Sequence, residues 1–278
     1  MNAATSLAST SFGDNSGTTS PFDTVRAEGF SVRRKEFLDR FLPDLVRLNG
    51  LRTAIDVGCG FGYFSGYLSR LGLRVTAIDG REENVRETRR RNPGIDCVVA
   101  NVEEISPKTL DRFDLVLCLG LLYHLENPFK ALRNLEAICG KVAVLETMVT
   151  PSKGQTTVLY EEPSAGNQGL NYVAAIPSEP WLLKSLYRVG FPFVFRTKEL
   201  PDHPDFRSGL IKNRMRTVLV TARCELQCPL LEVAPEPRRT NPFLWDRPGL
   251  GYLLRHEGLR NGLKSIIPAR LLGLPFGH

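Results

Sequence analysis

The sequence predicts an α/β protein with a doubly wound, mostly parallel sheet that ends in a C-terminal antiparallel hairpin. Short apolar segments alternate with helix-like segments between residues 51 and 145, and two further strand-like segments follow. The first strand leads directly into three closely spaced glycines and then into a helix. Nearly all-apolar strands separated by helices indicate a parallel sheet covered on both faces. Right-handed crossovers make such a sheet doubly wound.

An amphipathic helix is predicted over Val32–Leu48, where apolar residues repeat at helical spacing. Pro43 lies inside this segment and is expected either to kink it or to divide it into two shorter helices. Asn49-Gly50 is a natural stop for the helix.

The core of the domain consists of five strands with helices between them. The predicted strands are Thr53–Val57, Leu73–Ile78, Ile95–Ala100, Phe113–Leu119 and Lys141–Leu145. The predicted helices are Tyr63–Leu71, Glu82–Arg91, Phe129–Ile138 and a weaker one near Val102–Leu110.

The alternation stops after Glu146. Residues 147–177 are predicted to form a long loop or insertion, followed by a helix over Ser178–Val189 with Ser178 as its N-cap and Gly190 after its end. Phe191–Thr197 and Arg216–Ala222 are predicted as the strands of the closing hairpin.

The two ends of the chain are predicted to flank one domain over 23–223. Residues 1–22 are rich in small polar residues and lack the basic start and apolar centre of a secretion signal, which predicts a disordered tail and a cytoplasmic location. Residues 224–278 are predicted as a Pro-rich basic arm with a short helix around 250–263. No apolar run reaches roughly 18 residues, so no membrane span is predicted.

The net charge of +6 comes largely from the arm after Ala234. A basic arm can bind RNA, anionic lipid or an acidic protein, but these charges form no dense run and favour a solvated surface. Cys224 and Cys228 form a C-x3-C pair without two further suitably spaced ligands, so no metal site is predicted.

The glycine turn predicts a nucleotide-like ligand at the end of the first strand. Glycines allow the backbone to approach a ligand closely, and the following helix offers unpaired N–H groups. The dinucleotide fingerprint G-x-G-x-x-G would place its third glycine at position 63. Tyr63 occupies that position, and the observed pattern is G-x-G-x-G preceded by Asp56.

Residues 55–62, with the sequence Ile-Asp-Val-Gly-Cys-Gly-Phe-Gly, resemble the first motif of class I (Rossmann-like) S-adenosylmethionine-dependent methyltransferases. The resemblance extends from about Leu51 to Ala222 and implies S-adenosyl-L-methionine as the cofactor. The residues predicted to hold it in and beside the turn are Asp56, Gly58, Cys59, Gly60, Gly62 and, at the end of the fourth strand, Leu119.

The resemblance implies two further cofactor contacts. Asp79 ends the second strand, where the family grips both ribose hydroxyls, and a carboxylate can accept two hydrogen bonds from a diol. The alternative for Asp79 is the N-cap of the next helix. Asn101 stands where the family usually has an acidic residue beside the adenine, with the Val102 N–H next to it, and its alternative is a turn-forming asparagine.

The segment after the fourth strand supplies the candidates for catalysis. Its Leu-Tyr-His-Leu-x-x-Pro run is similar to methyltransferases related to the tRNA wobble-uridine carboxymethyltransferase group and to many natural-product methyltransferases. His124 is the candidate base, or else it caps a backbone group or packs under the cofactor. Tyr123 is predicted to position the substrate or to cover the cofactor. Plausible pocket residues, for each of which ordinary packing or solvent exposure is the better explanation, are Glu146, Tyr160, Glu161, Glu162, Asn171, Tyr172 and Trp181.

These observations predict a methyltransferase that acts on an oxygen or nitrogen of a small molecule. One alternative is a tRNA-modifying methyl- or carboxymethyltransferase, for which the basic arm would bind the RNA. A carboxylated donor would need an added cationic or hydroxyl contact. The other alternative is a cofactor-binding partner subunit without catalysis.

Overall fold

The computed structural model describes residues 20–206 and 216–238, which form an eight-stranded sheet with helices on both faces and a separate two-stranded sheet. The strands in chain order are β1 (Thr53–Val57), β2 (Arg74–Asp79), β3 (Asp96–Val99), β4 (Phe113–Leu119), β5 (Cys139–Met148), β6 (Thr157–Glu161), β7 (Val173–Pro177), β8 (Phe193–Thr197), β9 (Arg216–Ala222) and β10 (Leu231–Val233). The helices are α1 (Val25–Leu38), α2 (Leu42–Leu48), α3 (Tyr63–Arg70), α4 (Glu82–Arg91), α5 (Pro128–Ile138) and α6 (Glu179–Val189).

The large sheet has the order β10-β8-β9-β5-β4-β1-β2-β3. Strands β1 to β5 are parallel, whereas β9 is antiparallel to β5 and to β8, and β10 is antiparallel to β8. This topology confirms the predicted fold class. The strand order reverses between β1 and β4, and ligands of open α/β sheets bind beyond the carboxyl ends of the strands at such a point.

The inner strands of the sheet are buried on both faces, which explains why they are mostly apolar. In β4, Val116 and Cys118 pack into a core cluster with α5 and α6. Leu115 and Leu117 point to the opposite face and pack with the first three helices. Side chains that alternate between two covered faces give the continuous hydrophobic run seen in the sequence.

The predicted helix over Val32–Leu48 is divided in two. Pro43 lies in the first turn of α2, where its missing N–H costs no hydrogen bond. Helix α1 starts earlier than predicted, since Thr24 caps it by accepting a hydrogen bond from the Ala27 N–H at 3.2 Å. Its first turns carry no regular apolar repeat, so hydrophobic periodicity did not reveal them.

The predicted helix over Val102–Leu110 is wrong, because this segment forms turns. The Asn101 Oδ1 accepts a hydrogen bond from the Glu103 N–H at 3.0 Å, and the Ser106 Oγ accepts one from the Lys108 N–H at 3.3 Å. Side chains of this kind compete with helical hydrogen bonding.

The insertion over 147–177 contains more regular structure than predicted. Strand β5 continues to Met148, and β6 pairs with β7 as an antiparallel hairpin. All five residues of β6 are exposed, so its sequence lacks the apolar alternation of a half-buried strand.

Strand β10 extends the main sheet beyond residue 223, where the predicted domain ends. The remaining predictions for residues 1–19 and 239–278, including the helix around 250–263, lie outside the described residues. None of the helices in the described part of the chain has the length and apolarity needed to cross a membrane.

Candidate functional site

A cavity opens at the carboxyl ends of β1, β2 and β4, beside the point where the strand order reverses. Six predicted site residues line it: Gly58, Gly60, Asp79, Asn101, Val102 and His124. Phe22 and residues 166–170 complete its wall, and neither was predicted from the sequence. The cavity therefore joins the predicted cofactor residues to the predicted base.

The glycine turn is held against β2 by its backbone. The N–H groups of Gly58 and Cys59 both donate to the Ile78 carbonyl, at 2.9 and 3.0 Å. Gly60 has a φ of 54°, which disfavours other residues, and a Cβ there would lie 2.9 Å from the Phe22 ring. The turn thus requires glycine at position 60 for both conformation and space.

Asp79 lies on the cavity wall and also fastens the turn. Its carboxylate accepts hydrogen bonds from the Gly60 N–H at 3.0 Å, the Arg81 N–H at 2.9 Å and the Asn84 amide at 3.1 Å. Burial raises the pKa of this carboxyl above its ordinary value, while these donors oppose the shift. Arg81, and not Asp79, is the N-cap residue of α4.

Asn101 and Val102 border the cavity after β3. The side chain of Asn101 makes the turn-forming hydrogen bond to the Glu103 N–H described above. The turn-forming role is therefore present, and the contact of Asn101 and Val102 with an adenine stays a prediction.

Five predicted site residues do not line the cavity, and their contact with a cofactor or substrate also stays a prediction. They are Asp56, Cys59, Gly62, Leu119 and Tyr123. Asp56 is buried and accepts a hydrogen bond from the Ser65 hydroxyl at 2.6 Å, and burial raises its pKa to about 6. The Cys59 Sγ lies 3.6 Å from the Thr88 Oγ1, and Gly62 is the N-cap residue of α3.

His124 ends a short helical turn after β4 and is paired with a carboxylate. Its Nδ1 is hydrogen-bonded to the Glu162 Oε1, and only 11% of the His124 side chain and 2% of the Glu162 side chain are exposed. Burial lowers the pKa of His124, whereas the negative charge of Glu162 opposes that shift. A neutral imidazole held by a buried carboxylate is a suitable general base.

Next to His124, two arginines flank the buried Glu146. The Arg34 Nη1 lies 3.0 Å from one Glu146 oxygen, and the Arg216 Nη1 lies 2.8 Å from the other. Arg216 also donates to the Tyr123 hydroxyl at 3.0 Å. A second carboxylate lies close by, since the Arg216 Nε is 3.8 Å from the Asp205 Oδ2, so the two guanidinium groups face two carboxylates.

Neither of these arginines was predicted as a site residue from the sequence. The Nε atoms of Arg34 and Arg216 are buried and have no hydrogen-bond partner among the described residues. Arg34 lies on a helix whose first turns are polar, and Arg216 begins a strand more than 180 residues later along the chain. Only the fold brings them together.

The cavity is covered by residues of the insertion. The Leu170 side chain lies over Gly80, where a Cβ would be 2.8 Å from it. The Arg81 guanidinium donates to the carbonyl oxygens of Gln168 at 3.3 Å and Gly169 at 3.0 Å. Since these contacts join segments nearly 90 residues apart, no local sequence pattern indicated them.

Gly169 has no room for a side chain, which makes it a sensitive position. A Cβ there would lie 2.2 Å from the His124 carbonyl oxygen. We expect Gly169→Ala to lower the free energy of unfolding by about 1–3 kcal/mol because backbone must shift. Gly166→Ala is the matched control, since a Cβ at Gly166 meets nothing within 4 Å. Equal denaturant midpoints for the two variants would show that the covering residues are not packed as described.

Among the described residues, no group of three or more His, Cys, Asp or Glu side chains is placed to hold a metal ion.

Comparison with known proteins identifies the domain. Residues 55–141 match a family model described as a methyltransferase domain. The chain is 33% identical over 162 residues to the tRNA U34 carboxymethyltransferases of Haemophilus influenzae and Pasteurella multocida, a match that covers 55% of this chain and 49% of theirs. The chain thus spans about half the length of these curated relatives.

Among solved structures, the N-terminal domain of EvdMO1 with S-adenosylhomocysteine bound superposes with a TM-score of 0.55 at 22% identity. The superposition covers 69% of this chain and 80% of that one, and it shows the shared fold. These findings support the predicted resemblance: the chain contains a methyltransferase domain, and its fold is shared with a solved domain that has S-adenosylhomocysteine bound.

Proposed function

We propose that this chain is an enzyme that transfers a methyl group from S-adenosylmethionine to an oxygen or nitrogen atom of a small-molecule acceptor. One observation carries the proposal. His124, held by the buried Glu162, lines the same cavity as Asp79 and the glycine turn. A paired base and a nucleotide-binding turn in one cavity favour catalysis over binding alone.

The cavity has polar groups that suit S-adenosylmethionine. Asp79 presents a carboxylate that can accept hydrogen bonds from the two ribose hydroxyls. Gly58 and Gly60 let the backbone approach the ligand, and the N-terminus of α3 lies directly behind them.

S-adenosylmethionine supplies an electrophilic methyl group on a sulfonium sulfur. Because Glu162 engages the Nδ1 of His124, the Nε2 is the ring nitrogen left to accept a proton. His124 would take the proton of an acceptor O–H or N–H as that atom attacks the methyl carbon, and the electrons of the broken S–CH₃ bond would stay on the sulfur, which leaves as a thioether. The Glu162 carboxylate stabilises the resulting imidazolium, as the acidic member of a catalytic triad does.

The direct test incubates the purified chain with radiolabelled S-adenosylmethionine and fractionated small molecules from its source cells. We expect label in a low-molecular-weight product whose mass is increased by one CH₂ group. Saturable binding of S-adenosylmethionine without any labelled product would contradict an enzyme and favour the non-catalytic alternative.

A second candidate is a tRNA-modifying carboxymethyltransferase, which the arginine cluster favours. A carboxylated donor carries an extra negative charge beside the transferred carbon. Arg216 and the Tyr123 hydroxyl, adjacent to His124, offer the cationic and hydroxyl contacts that such a donor needs. The similarity to tRNA U34 carboxymethyltransferases supports the same reading. Against it, Glu146 already pairs with both guanidinium groups, and neither Arg216 nor Tyr123 lines the cavity.

Calorimetry with both donors separates the two candidates. For the first function, we expect S-adenosylmethionine to bind at least as tightly as its carboxylated analogue. The second function requires the carboxylated donor to bind more tightly by roughly tenfold, the value of one charge-assisted hydrogen bond. Tyr123→Phe would then remove much of that preference. A tRNA acceptor would also show binding that falls steeply with salt concentration.

A further inference from the structure

The covering loop, residues 163–172, is held at Gly169 from two sides. Arg81, two residues after Asp79, donates to the Gly169 carbonyl at 3.0 Å. Glu162 accepts a hydrogen bond from the Gly169 N–H at 2.7 Å. One residue, through its N–H and its carbonyl, is therefore bonded both to Arg81, beside the predicted donor residue Asp79, and to the partner of His124.

Glu162 divides its carboxylate between the loop and the base. Its Oε1 is bonded to the His124 Nδ1, and its Oε2 accepts from the Gly169 N–H. Only 2% of this side chain is exposed, so water does not replace a lost partner while the loop is closed. The orientation of the carboxylate consequently depends on the position of Gly169.

Two further contacts indicate that the closed loop has one defined arrangement. Gly169 touches the His124 backbone so closely that a Cβ would lie 2.2 Å from its carbonyl oxygen. Tyr172 has a φ of 57°, a conformation that costs a non-glycine residue free energy, and the Glu162 N–H donates to its carbonyl at 2.8 Å. The strain at Tyr172 favours opening of the covering loop unless the hydrogen bonds at Gly169 and Tyr172 hold it closed.

We propose that Glu162 is a positioning residue that ties the closing of the covering loop over the donor to the orientation of His124, with Arg81 as the latch of the closed loop. The inference rests on the proposed function for the role of His124 as base. Its consequence is that the base is set for proton transfer only while the donor is covered from water.

The test compares Glu162→Gln and Arg81→Ala with the control Glu161→Gln, an exposed carboxylate one residue away. Amide hydrogen exchange of a peptide spanning the covering loop is measured with and without S-adenosylhomocysteine. In the free protein we expect Arg81→Ala to speed exchange at Gly169, and Arg81→Lys, which keeps a donor, to restore part of the protection. We expect ligand-induced protection in the wild type and in Glu161→Gln, and its loss in Glu162→Gln.

The pH dependence of kcat/KM is the second readout. If Glu162 had only a structural role, its substitution would not shift this pH dependence. Because the negative charge of Glu162 raises the pKa of His124, removing it lowers that pKa. We therefore expect the acid limb of Glu162→Gln to move to lower pH, with kcat reduced roughly tenfold or more and KM little changed.

An unchanged acid limb in Glu162→Gln, or loop exchange that does not respond to Arg81→Ala, would overturn the inference. A wild type that binds donor and transfers no methyl group would instead refute the proposed function. In that case the exchange measurements alone still decide whether Arg81 and Glu162 hold the loop.

Discussion

Asp79→Ala is expected to weaken the binding of S-adenosylmethionine by roughly 100-fold. Under the proposed function, the carboxylate accepts charge-assisted hydrogen bonds from two ribose hydroxyls, and their combined loss of about 3 kcal/mol corresponds to that factor. The same substitution leaves the Gly60 N–H and the Asn84 amide without their acceptor. We expect the free energy of unfolding to fall as well, by about 1–3 kcal/mol. Calorimetry and thermal unfolding measure the two effects separately.

Asp114→Ala is the matched control for Asp79→Ala. Asp114 is also a strand aspartate that binds backbone, since its Oδ2 accepts from the N–H groups of Arg52 at 2.7 Å and Thr53 at 3.2 Å. It lies at the amino end of β1 and β4, at the edge of the sheet opposite the cavity. We expect this variant to lose stability and to keep the wild-type dissociation constant. Equal affinities of both variants for S-adenosylmethionine would contradict the assignment of Asp79 to the cofactor site.

The sequence was sufficient for the part of the fold in which local pattern and burial agree. Strands β1, β4 and β9 have the predicted bounds because each is a mostly apolar segment that is largely buried. Local pattern and burial do not agree in the exposed strand β6, which was predicted as loop, or in the turns after Asn101, which were predicted as helix. In both segments the decisive interactions are hydrogen bonds, which leave little trace in hydrophobic periodicity.

Some residues of the candidate site were also predictable from local sequence motifs, and others were not. Gly60, Asp79 and His124 were found because each follows a strand in a recognisable short motif. Glu162 was noted only as one of several possible pocket residues, and Arg216 was not noted. Their roles depend on pairs with His124 and Glu146, which lie 38 and 70 residues away in the chain. Such long-range pairs are fixed by the topology of the sheet.

His124→Asn is expected to lower kcat by roughly 10²- to 10⁴-fold, the range for loss of a general base. The asparagine amide can still donate to Glu162 from about the place of Nδ1, whereas the Nε2 that accepts the proton is removed. Donor affinity should therefore change little, which separates this variant from Asp79→Ala. The measurement is the initial rate of methyl transfer at saturating donor. A loss below tenfold would contradict the role of His124 as base.

The pH profile provides the independent check on this assignment. The active form of His124 is neutral, so activity is lost as the pH falls through its pKa. Burial lowers that pKa from 6.5, so the wild type should keep activity below pH 6.5 and lose it only at more acidic pH. In His124→Asn this acid limb should disappear, whereas His203→Asn, which removes the other histidine of the described residues, should retain it. An acid limb that survives in His124→Asn would assign the titration to a different group, of which Asp56, with a pKa of about 6, is the nearest in value.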